Sequence, residues 1–591
     1  MTRSARVVPD IPSFAVDRGF WYAIPEHLQH DLSLGSIVRV PLSGRRVRGW
    51  VVELAESHEG ALKEIAGISG VAAVFDDALL QGLEWAARHY VAPLSGLLAR
   101  ATPPNLPRSI AAPGRLGRPV VAGHQALSPI VGRSALGRKT PVTALVSTWR
   151  DPSWLGEMAP IMEAGRSVLI VAASAAEVRE ISDAGTEILG RVVASVDGED
   201  AAADTRAWQA AQSPPRLLVG TPKTATWRVG DLALVVALEE GRRAMKDRQT
   251  PTIHVRETLI TRSRVEGFNV IFFGPTPSVE VLSGGADVIR AGNRAWPLVE
   301  VVDRSQEPPG TGFLSDRTMA AITAAGRRGA RVFVFTHRRA GSSSMRCMKC
   351  RVLRSCPNCG SRAGREESCL RCGEPAGPCR NCGGDRFEAM GTIPERLVSE
   401  INRRAGASLA VTRPERGLVT VGTERDLAGL GRVELTVAAD VDGMLLGSGH
   451  RVSEEALRQL ARLASSVTGG KGSRLMLQTS RPDSMLVTTM RRGDPIPYLE
   501  RVLVERARDG SPPATEMIAI EVRGHTPDSV VPGLRSLDRG ATVLGPMEVE
   551  EGERWLLTGS LGKARIELRD LVGRWRDAGA TVRVDVDPID L

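Results

Sequence analysis

Four C-x-x-C pairs crowd into 36 residues: Cys347/Cys350, Cys356/Cys359, Cys369/Cys372 and Cys379/Cys382, and no cysteine lies outside them. Each pair can chelate one ion from a single knuckle turn, and two knuckles complete a tetrahedral zinc site. Eight thiolates therefore make two closed sites, with no open position for a catalytic water. Gly360, Gly373 and Gly383 follow three of the knuckles and suit the tight turns there. Disulfides and iron–sulfur binding are the competing uses. Regular spacing with nothing left over favours structural zinc, as does an N-terminus, "MTRSARVVPDIPSF", without a secretory h-region. From 346 to 386 nine Arg/Lys stand against four acids, so the insert is either a solvated surface or a further contact for phosphate.

A module of this size needs a host, and the flanking sequence supplies one. From about 141 the apolar runs "SVLIVAAS" (167–174), "RLLVGT" (216–221), "LALVVAL" (232–238) and "NVIFFGP" (269–275) alternate with helical segments. Continuous apolar runs suit parallel strands covered by helices on both faces. A second unit of the same kind follows the linker "DRSQEPPGTG" (303–312), with "RVFVFT" (331–336), "GLVTVGT" (417–423) and "VELTVAADVDG" (433–443), and the cysteine insert interrupts it. The expected division is a lobe over 141–303, a second lobe over 304–345 and 387–511, and the insert over 346–386.

The ends of the chain read differently. Residues 1–103 form a small β-rich domain, with strands "SIVRVPL" (36–42) and "RVRGWVVEL" (46–54) around the turn Ser43-Gly44-Arg45, then a helix in "DDALLQGLEWAARHYVA" (76–92). Residues 104–140 are rich in Pro, Gly and Arg, contain no acid, and carry Arg108, Arg115, Arg118, Arg133, Arg138 and Lys139. They read as a flexible linker, with a basic strap over phosphates as the alternative. Residues 512–591 mix strands with the helical "ARIELRDLVGRWRDAG" and read as an α+β domain. A net charge of +9 favours acidic partners such as nucleic acid. Arginine outnumbers lysine 70 to 7, which reflects codon usage more than function. No apolar run is long enough to span a bilayer, so the expectation is a cytoplasmic, nucleoid-associated protein with no membrane partner.

A double zinc module inside the second of two α/β lobes is an uncommon layout. With "LVVALEEGRRAMKDRQTPTIHVRETLITRS" (234–263), "GPTPSVEVL" (274–282), "ADVDGMLL" (439–446) and the terminal "VRVDVDPIDL" (582–591), the chain resembles the PriA replication-restart family from about residue 7 to 591. The resemblance implies a multidomain α/β fold: an N-terminal DNA-binding β-barrel, two RecA-like lobes, a zinc-ribbon-like insert and a C-terminal α+β domain. One zinc is expected on Cys347, Cys350, Cys379 and Cys382, the other on Cys356, Cys359, Cys369 and Cys372. The implied partners are forked or branched DNA, the replicative helicase with its loading factors, and single-strand DNA-binding protein.

The departures from the family pattern are as informative. Its motor has a phosphate loop ending in Gly-Lys-Thr, where backbone N–H groups cradle phosphate. The corresponding "ALVSTWRDPSW" (144–154) has no glycine, and Trp149, Arg150 and Asp151 stand near the end of the loop. The acid box keeps Glu239 and Glu240 but has Leu238 in place of the metal-linked Asp, and the arginine-finger motif falls near Ser465 and Thr468. Lys471 in "TGGKGS" lies in the second lobe and is no substitute. A winged helix is missing from 104–140. The 3′-end pocket matches the family at Phe20 and Lys63, with Ser43 and Gly44 at its turn, but Trp21 replaces an acid. Trp21 could stack on a terminal base but cannot accept from a 3′-hydroxyl. The expectation is a fork-binding scaffold that nucleates the primosome without being an enzyme, with neither ATP nor Mg²⁺ expected. An active 3′–5′ helicase with divergent nucleotide chemistry and a protein-only hub are the rivals.

Overall fold

The computed structural model describes residues 3–56, 61–117, 125–308, 311–337, 345–350, 352–358, 368, 374–375, 377–389, 394–412, 417–429, 431, 433–446, 449–467, 472–524, 527–537, 540–549 and 552–589. The chain divides into two compact units, 1–291 with 500–591, and 292–499.

The first unit opens with a five-stranded antiparallel sheet in the order Phe20–Ala23, Ser4–Pro9, Arg45–Ala55, Ile37–Leu42, Gly67–Ser69. A bridge from Ala23 to Glu64 ties the first of these strands to the chain just before the last, curling the sheet toward a barrel. Strand alternation sorts the side chains. Ala5, Val7, Tyr22, Val38, Val40 and Val51 fill the interior, while Val8, Ile37, Trp50 and Val52 pack toward the helices Asp77–His89 and Leu94–Ala101. The first helix begins where Asp76 accepts the Leu79 N–H, and ends with Arg88 and His89 in its last turn, both favourable to the helix dipole.

The segment after this domain is not a free linker. Asn105 N donates to Thr205 Oγ1 (3.1 Å), Ser213 Oγ to the Ala111 carbonyl (2.7 Å), Arg216 Nη2 to the Ala112 carbonyl (2.8 Å), and Gly117 N to the Leu189 carbonyl (2.8 Å). A Pro-rich strand cannot pair with itself, but its carbonyls and N–H groups remain available to a neighbour. Helix Ser128–Ala135 then buries Ile130 and Val131, and Lys139 Nζ donates to the Ser263 carbonyl near the end of helix Val255–Glu266. Lys139 thus serves the fold rather than a phosphate strap; Arg118 lies outside the described residues.

The first lobe is a seven-stranded parallel sheet, in the order Asp287–Arg290, Thr143–Val146, Asn269–Gly274, Leu232–Leu238, Ser167–Val171, Leu217–Gly220, Val193–Val196. Leu232–Leu238 is central and buried along its whole length, as an uninterrupted apolar run requires. The C-terminal four-stranded antiparallel sheet, in the order Ala541–Val549, Gly552–Gly559, Glu516–Arg523, Thr581–Val586, carries helix Gly562–Asp577. Its Ile520, Trp555, Leu568 and Trp575 join one continuous core with the N-terminal domain and lobe.

Lys246 pins that junction. Its ammonium donates to Asp585 Oδ1 and to the Val586 and Asp587 carbonyls, each at 2.6 Å. Lys246→Met is expected to destabilise the first unit by about 2 kcal/mol, because the Val586 and Asp587 carbonyls lose their buried donor while Arg583 still holds Asp585 at 3.0 Å; urea titration followed by tryptophan emission measures it. Burial alone would raise the Asp587 carboxyl, but His89, Lys246 and Arg565 outweigh it and hold the group below its usual range. A depressed folded pKa gives stability that is present above the unfolded value, about 3.9, and lost as pH falls through the folded one. Asp587→Asn should therefore flatten the acid limb of a stability-against-pH curve below about pH 4; an unchanged limb would refute the assignment.

The second unit holds a six-stranded parallel sheet, in the order Val299–Asp303, Arg474–Thr479, Leu435–Ala438, Val332–Phe335, Val419–Gly422, Ala410–Val411. Its edge strand Val299–Asp303 pairs with Arg474–Thr479, so the lobe boundary falls before this strand and not after residue 303. In the "DVDG" segment Asp440 caps helix Val441–Met444, and Asp442 accepts from Thr479 Oγ1 and Ser480 N, both at 2.6 Å. The cysteine insert rises from a two-stranded ribbon, Met345–Cys347 against Phe387–Ala389. No described helix is long and apolar enough to cross a membrane.

Candidate functional site

The strand that carries Phe20 and Trp21 is tied by its next two residues, Tyr22 and Ala23, to the end of the Ser43-Gly44 hairpin and to Lys63. Tyr22 Oη donates to the Pro41 carbonyl (3.3 Å), which ties the 20–23 strand to the hairpin end. Ala23 N donates to the Lys63 carbonyl (2.9 Å), which brings Lys63 alongside. Ser43 (φ 49°) and Gly44 (φ 78°) turn the hairpin with both residues left-handed, the geometry that matches strand twist in a two-residue loop. Phe20 is 38% exposed and Lys63 is exposed. Tyr22 is buried, and burial pushes its phenol up. Trp21 is half-buried and stands opposite Arg6 in the sheet. The structure thus separates the aromatic trio: Tyr22 belongs to the core and Phe20 to the surface.

The second group lies at the carboxyl ends of the parallel strands Thr143–Val146 and Leu232–Leu238, where open α/β sheets bind ligands. The indole of Trp149, 3% exposed, donates through Nε1 to Glu239 Oε1 at 2.8 Å. Trp154 Nε1 donates to the Trp149 carbonyl at 3.0 Å and fixes the loop. The Arg150 guanidinium stacks 4.6 Å from the Trp149 ring centre and reaches Glu180 at 3.4 Å. Asp151 caps the 3₁₀ helix Pro152–Met158 by accepting from Ser153 N. Glu239 itself is left-handed (φ 50°), an uncommon state for a non-glycine residue. Glu240 Oε1 accepts from Ser278 N at 2.9 Å.

Two cations here escaped the sequence reading. Arg242 Nη1 meets both Glu177 oxygens at 2.8 Å and lies 3.6 Å from Glu239. Arg256, buried, is held above the usual arginine range: burial opposes its charge, but Glu280, Glu257 and Glu240 outweigh that. Both were within reach of the "EEGRR" and "HVRE" strings, but nothing local says which acid each would meet. In the second lobe Arg458 and Arg462 both reach Glu424, at 2.8 and 3.3 Å, one to two turns before Ser465 on the same helix, Val452–Ser465. Thr468 and Lys471 lie outside the described residues.

The third group is the thiol cluster. Cys347, Cys350, Cys379 and Cys382 place their sulfurs within 4.8 Å of one another, with Cys347 to Cys382 and Cys350 to Cys379 at 3.5 Å. A zinc tetrahedron with 2.3 Å bonds has edges of ~3.8 Å, so the four thiols fit such an ion. Asn381 and the Val352 N–H draw Cys350 down to about 6, and the Cys350 N–H lowers Cys347. Cys382 is lowered by the Gly384 N–H but pushed up to about 12 by the Cys350 thiol, burial and its other sulfur neighbours. Crowded sulfurs that resist a further negative charge call for a cation. Cys356 is buried, with its carbonyl accepting from Arg380 at 3.4 Å; Cys359, Cys369 and Cys372 lie outside the described residues.

Residues 6–103 match the model of the PriA 3′ DNA-binding domain (3′BD). A probable replication restart protein PriA of Mycobacterium tuberculosis (strain H37Rv) is 26% identical over 598 residues, covering 91% of this chain and 90% of its own. A replication restart protein PriA of Treponema pallidum is 23% identical over 668 residues, covering 99% of each. Among solved structures, the DUF1998 helicase MrfA bound to DNA aligns with a TM-score of 0.34 at 10% identity, over 66% of this chain and 52% of that one. The relatives, named replication restart protein PriA and aligned over 91–99% of this chain, correct one expectation, that the chain is no enzyme.

Proposed function

From the premise that this chain is a PriA-type, DNA-binding replication restart protein, we propose that it engages branched DNA at stalled or collapsed forks and seats the factors that reload the replicative helicase. The observation that carries the reading is that the strand bearing Phe20 and Trp21 is tied through Tyr22 to the end of the Ser43-Gly44 hairpin and through Ala23 to Lys63, inside the stretch that matches a 3′ DNA-binding domain. Phe20 and Trp21 offer ring faces to a terminal base, and Lys63 a charge to its phosphate. Two zinc ions per chain order the insert, one on Cys347, Cys350, Cys379 and Cys382, the other on Cys356, Cys359, Cys369 and Cys372. Single-strand DNA-binding protein and the helicase loader are the protein partners, on nucleoid DNA in the cytoplasm.

Helicase action sets a structural requirement. With the Trp149 indole on Glu239, a phosphate seat beside that acid has to be made by arginines, Arg150 and Arg242 being the nearest, rather than by a Gly-Lys-Thr loop. The test is binding and ATP turnover in one tube with zinc-loaded protein. Forks bearing a recessed 3′-hydroxyl are expected to bind at least ~10-fold more tightly than blunt duplex at matched salt, since phosphate contacts alone would treat the two alike. Equal and equally salt-weakened binding would overturn the fork reading. DNA-stimulated turnover that vanishes with Glu239→Ala would locate the water-activating acid at that position; turnover indifferent to it would move the motor site elsewhere.

A further inference from the structure

A cavity of about 620 Å³ is lined by Arg6, Phe14, Asp17, Arg18, Arg88 and Arg569 among others. We infer that it holds phosphates of the single strand leading to the 3′ end; this rests on the reading of residues 6–103 given above. Its walls come from the first barrel strand (Arg6), the following loop (Phe14, Asp17, Arg18), the helix Asp77–His89 (Arg88) and the C-terminal helix Gly562–Asp577 (Arg569). The cavity size is in the range of ligand sites, roughly 300–1,000 Å³.

Charge and position both point to a polyanion. Four guanidinium groups line the cavity against Asp17, Glu84 and Asp570, and Arg6 also meets Glu53 at 2.8 Å on the sheet face. Asp17 is committed to the protein: it accepts from Leu94 N and contacts Arg569. Glu84 stands 3.9 Å from an Arg88 that is 59% exposed, a pairing of little strength in water. Arg18 is exposed and makes no side-chain ion pair among the described residues. Arg569 and Arg576 lie over the Phe14 ring at 5.3 and 5.7 Å, and burial lowers both guanidinium groups from their usual range. Cations short of solvent gain from an arriving anion, even where, as for Arg569, one carboxylate is already in place. The position is the second argument. Arg6 stands directly opposite Trp21 in the sheet, so both side chains project from one face, and a strand ending at Phe20 and Lys63 passes Arg6 on its way in. Guanidinium groups suit phosphate by geometry as well as by charge.

The experiment uses the full zinc-loaded chain with Arg18→Ala/Arg88→Ala, both on exposed side chains, on forks ending in a 3′-hydroxyl or a 3′-phosphate across a salt series. Two lost phosphate contacts should flatten the slope of log affinity against log salt by about 1.4, at ~0.7 for each single-strand contact. The preference between the two 3′ ends should stay as in the parent. Arg18→Lys/Arg88→Lys should keep the parental slope, which separates charge from folding. Trp21→Ala should do the reverse of the alanine pair, changing the end preference and keeping the slope, so a failure of the 3′-end reading shows in that variant alone. An unchanged slope and affinity in the alanine pair would overturn the inference and leave the cavity to a carboxylate-bearing partner.

Discussion

Cys379→Ser is expected to lower the zinc content from two ions per chain to one, and to raise amide exchange across 345–389 without unfolding the second lobe. The reason is the size of what the metal holds. The ribbon beneath the cluster has only three residues in each strand, Met345–Cys347 and Phe387–Ala389, far below what an isolated hairpin needs for stability. Structural zinc contributes on the order of 10 kcal/mol of apparent binding free energy, and nothing else in so short a ribbon can replace that. The lobe is different. Its core of Val332, Val334, Leu397, Ile401, Val421, Val437 and Met476 draws on strands and helices outside the insert. Metal analysis and hydrogen exchange on the same sample read both halves of the expectation. Two ions retained in the variant would refute the assignment of Cys379 as a ligand. Loss of protection throughout 299–479 would refute the independence of the insert.

How far the sequence carries depends on how local the signal is. The parallel strands are legible because burial on both faces leaves continuous apolar runs such as 232–238, and the knuckles because chelation fixes a two-residue spacing. The strand Val299–Asp303 is misassigned because its partner, Arg474–Thr479, comes more than 170 residues later, and no local pattern names a sheet. The 104–117 stretch reads as flexible because its composition is that of a linker, while its order comes from Thr205, Ser213, Arg216 and Leu189 on the lobe. The candidate site divides the same way. Residue types show a bulky Trp149, and a Trp21 that cannot act as an acid. They do not show that the Trp149 indole reaches Glu239, that Arg242 lies between Glu177 and Glu239, or that Arg6 stands beside Trp21. Those contacts join segments brought together only by the finished sheet.

Trp149→Ala is expected to destabilise the first unit by about 3–5 kcal/mol, the cost of emptying a fully packed aromatic site. Trp149 is buried with Trp154, Leu155, Ile170 and Phe273 in one core cluster, so no neighbour can fill the space without moving a strand. Trp149→Phe keeps most of that packing and removes the indole donor from Glu239, so its cost should be nearer 1–2 kcal/mol, the penalty for an acceptor stripped of one hydrogen bond. Urea unfolding of both variants separates packing from hydrogen bonding. The same pair bears on nucleotide chemistry. The indole sits against Glu239 at the mouth of the parallel sheet and carries the Arg150 guanidinium on its face. Trimming it loosens a cation and an acid at once and opens volume between them. If the indole bars phosphate from this seat, Trp149→Ala binds ATP more tightly than the parent under conditions where both are folded, and Trp149→Phe does not. If affinity instead falls in Trp149→Ala, the indole is part of the seat, and the nucleotide site of this chain is built around an aromatic wall.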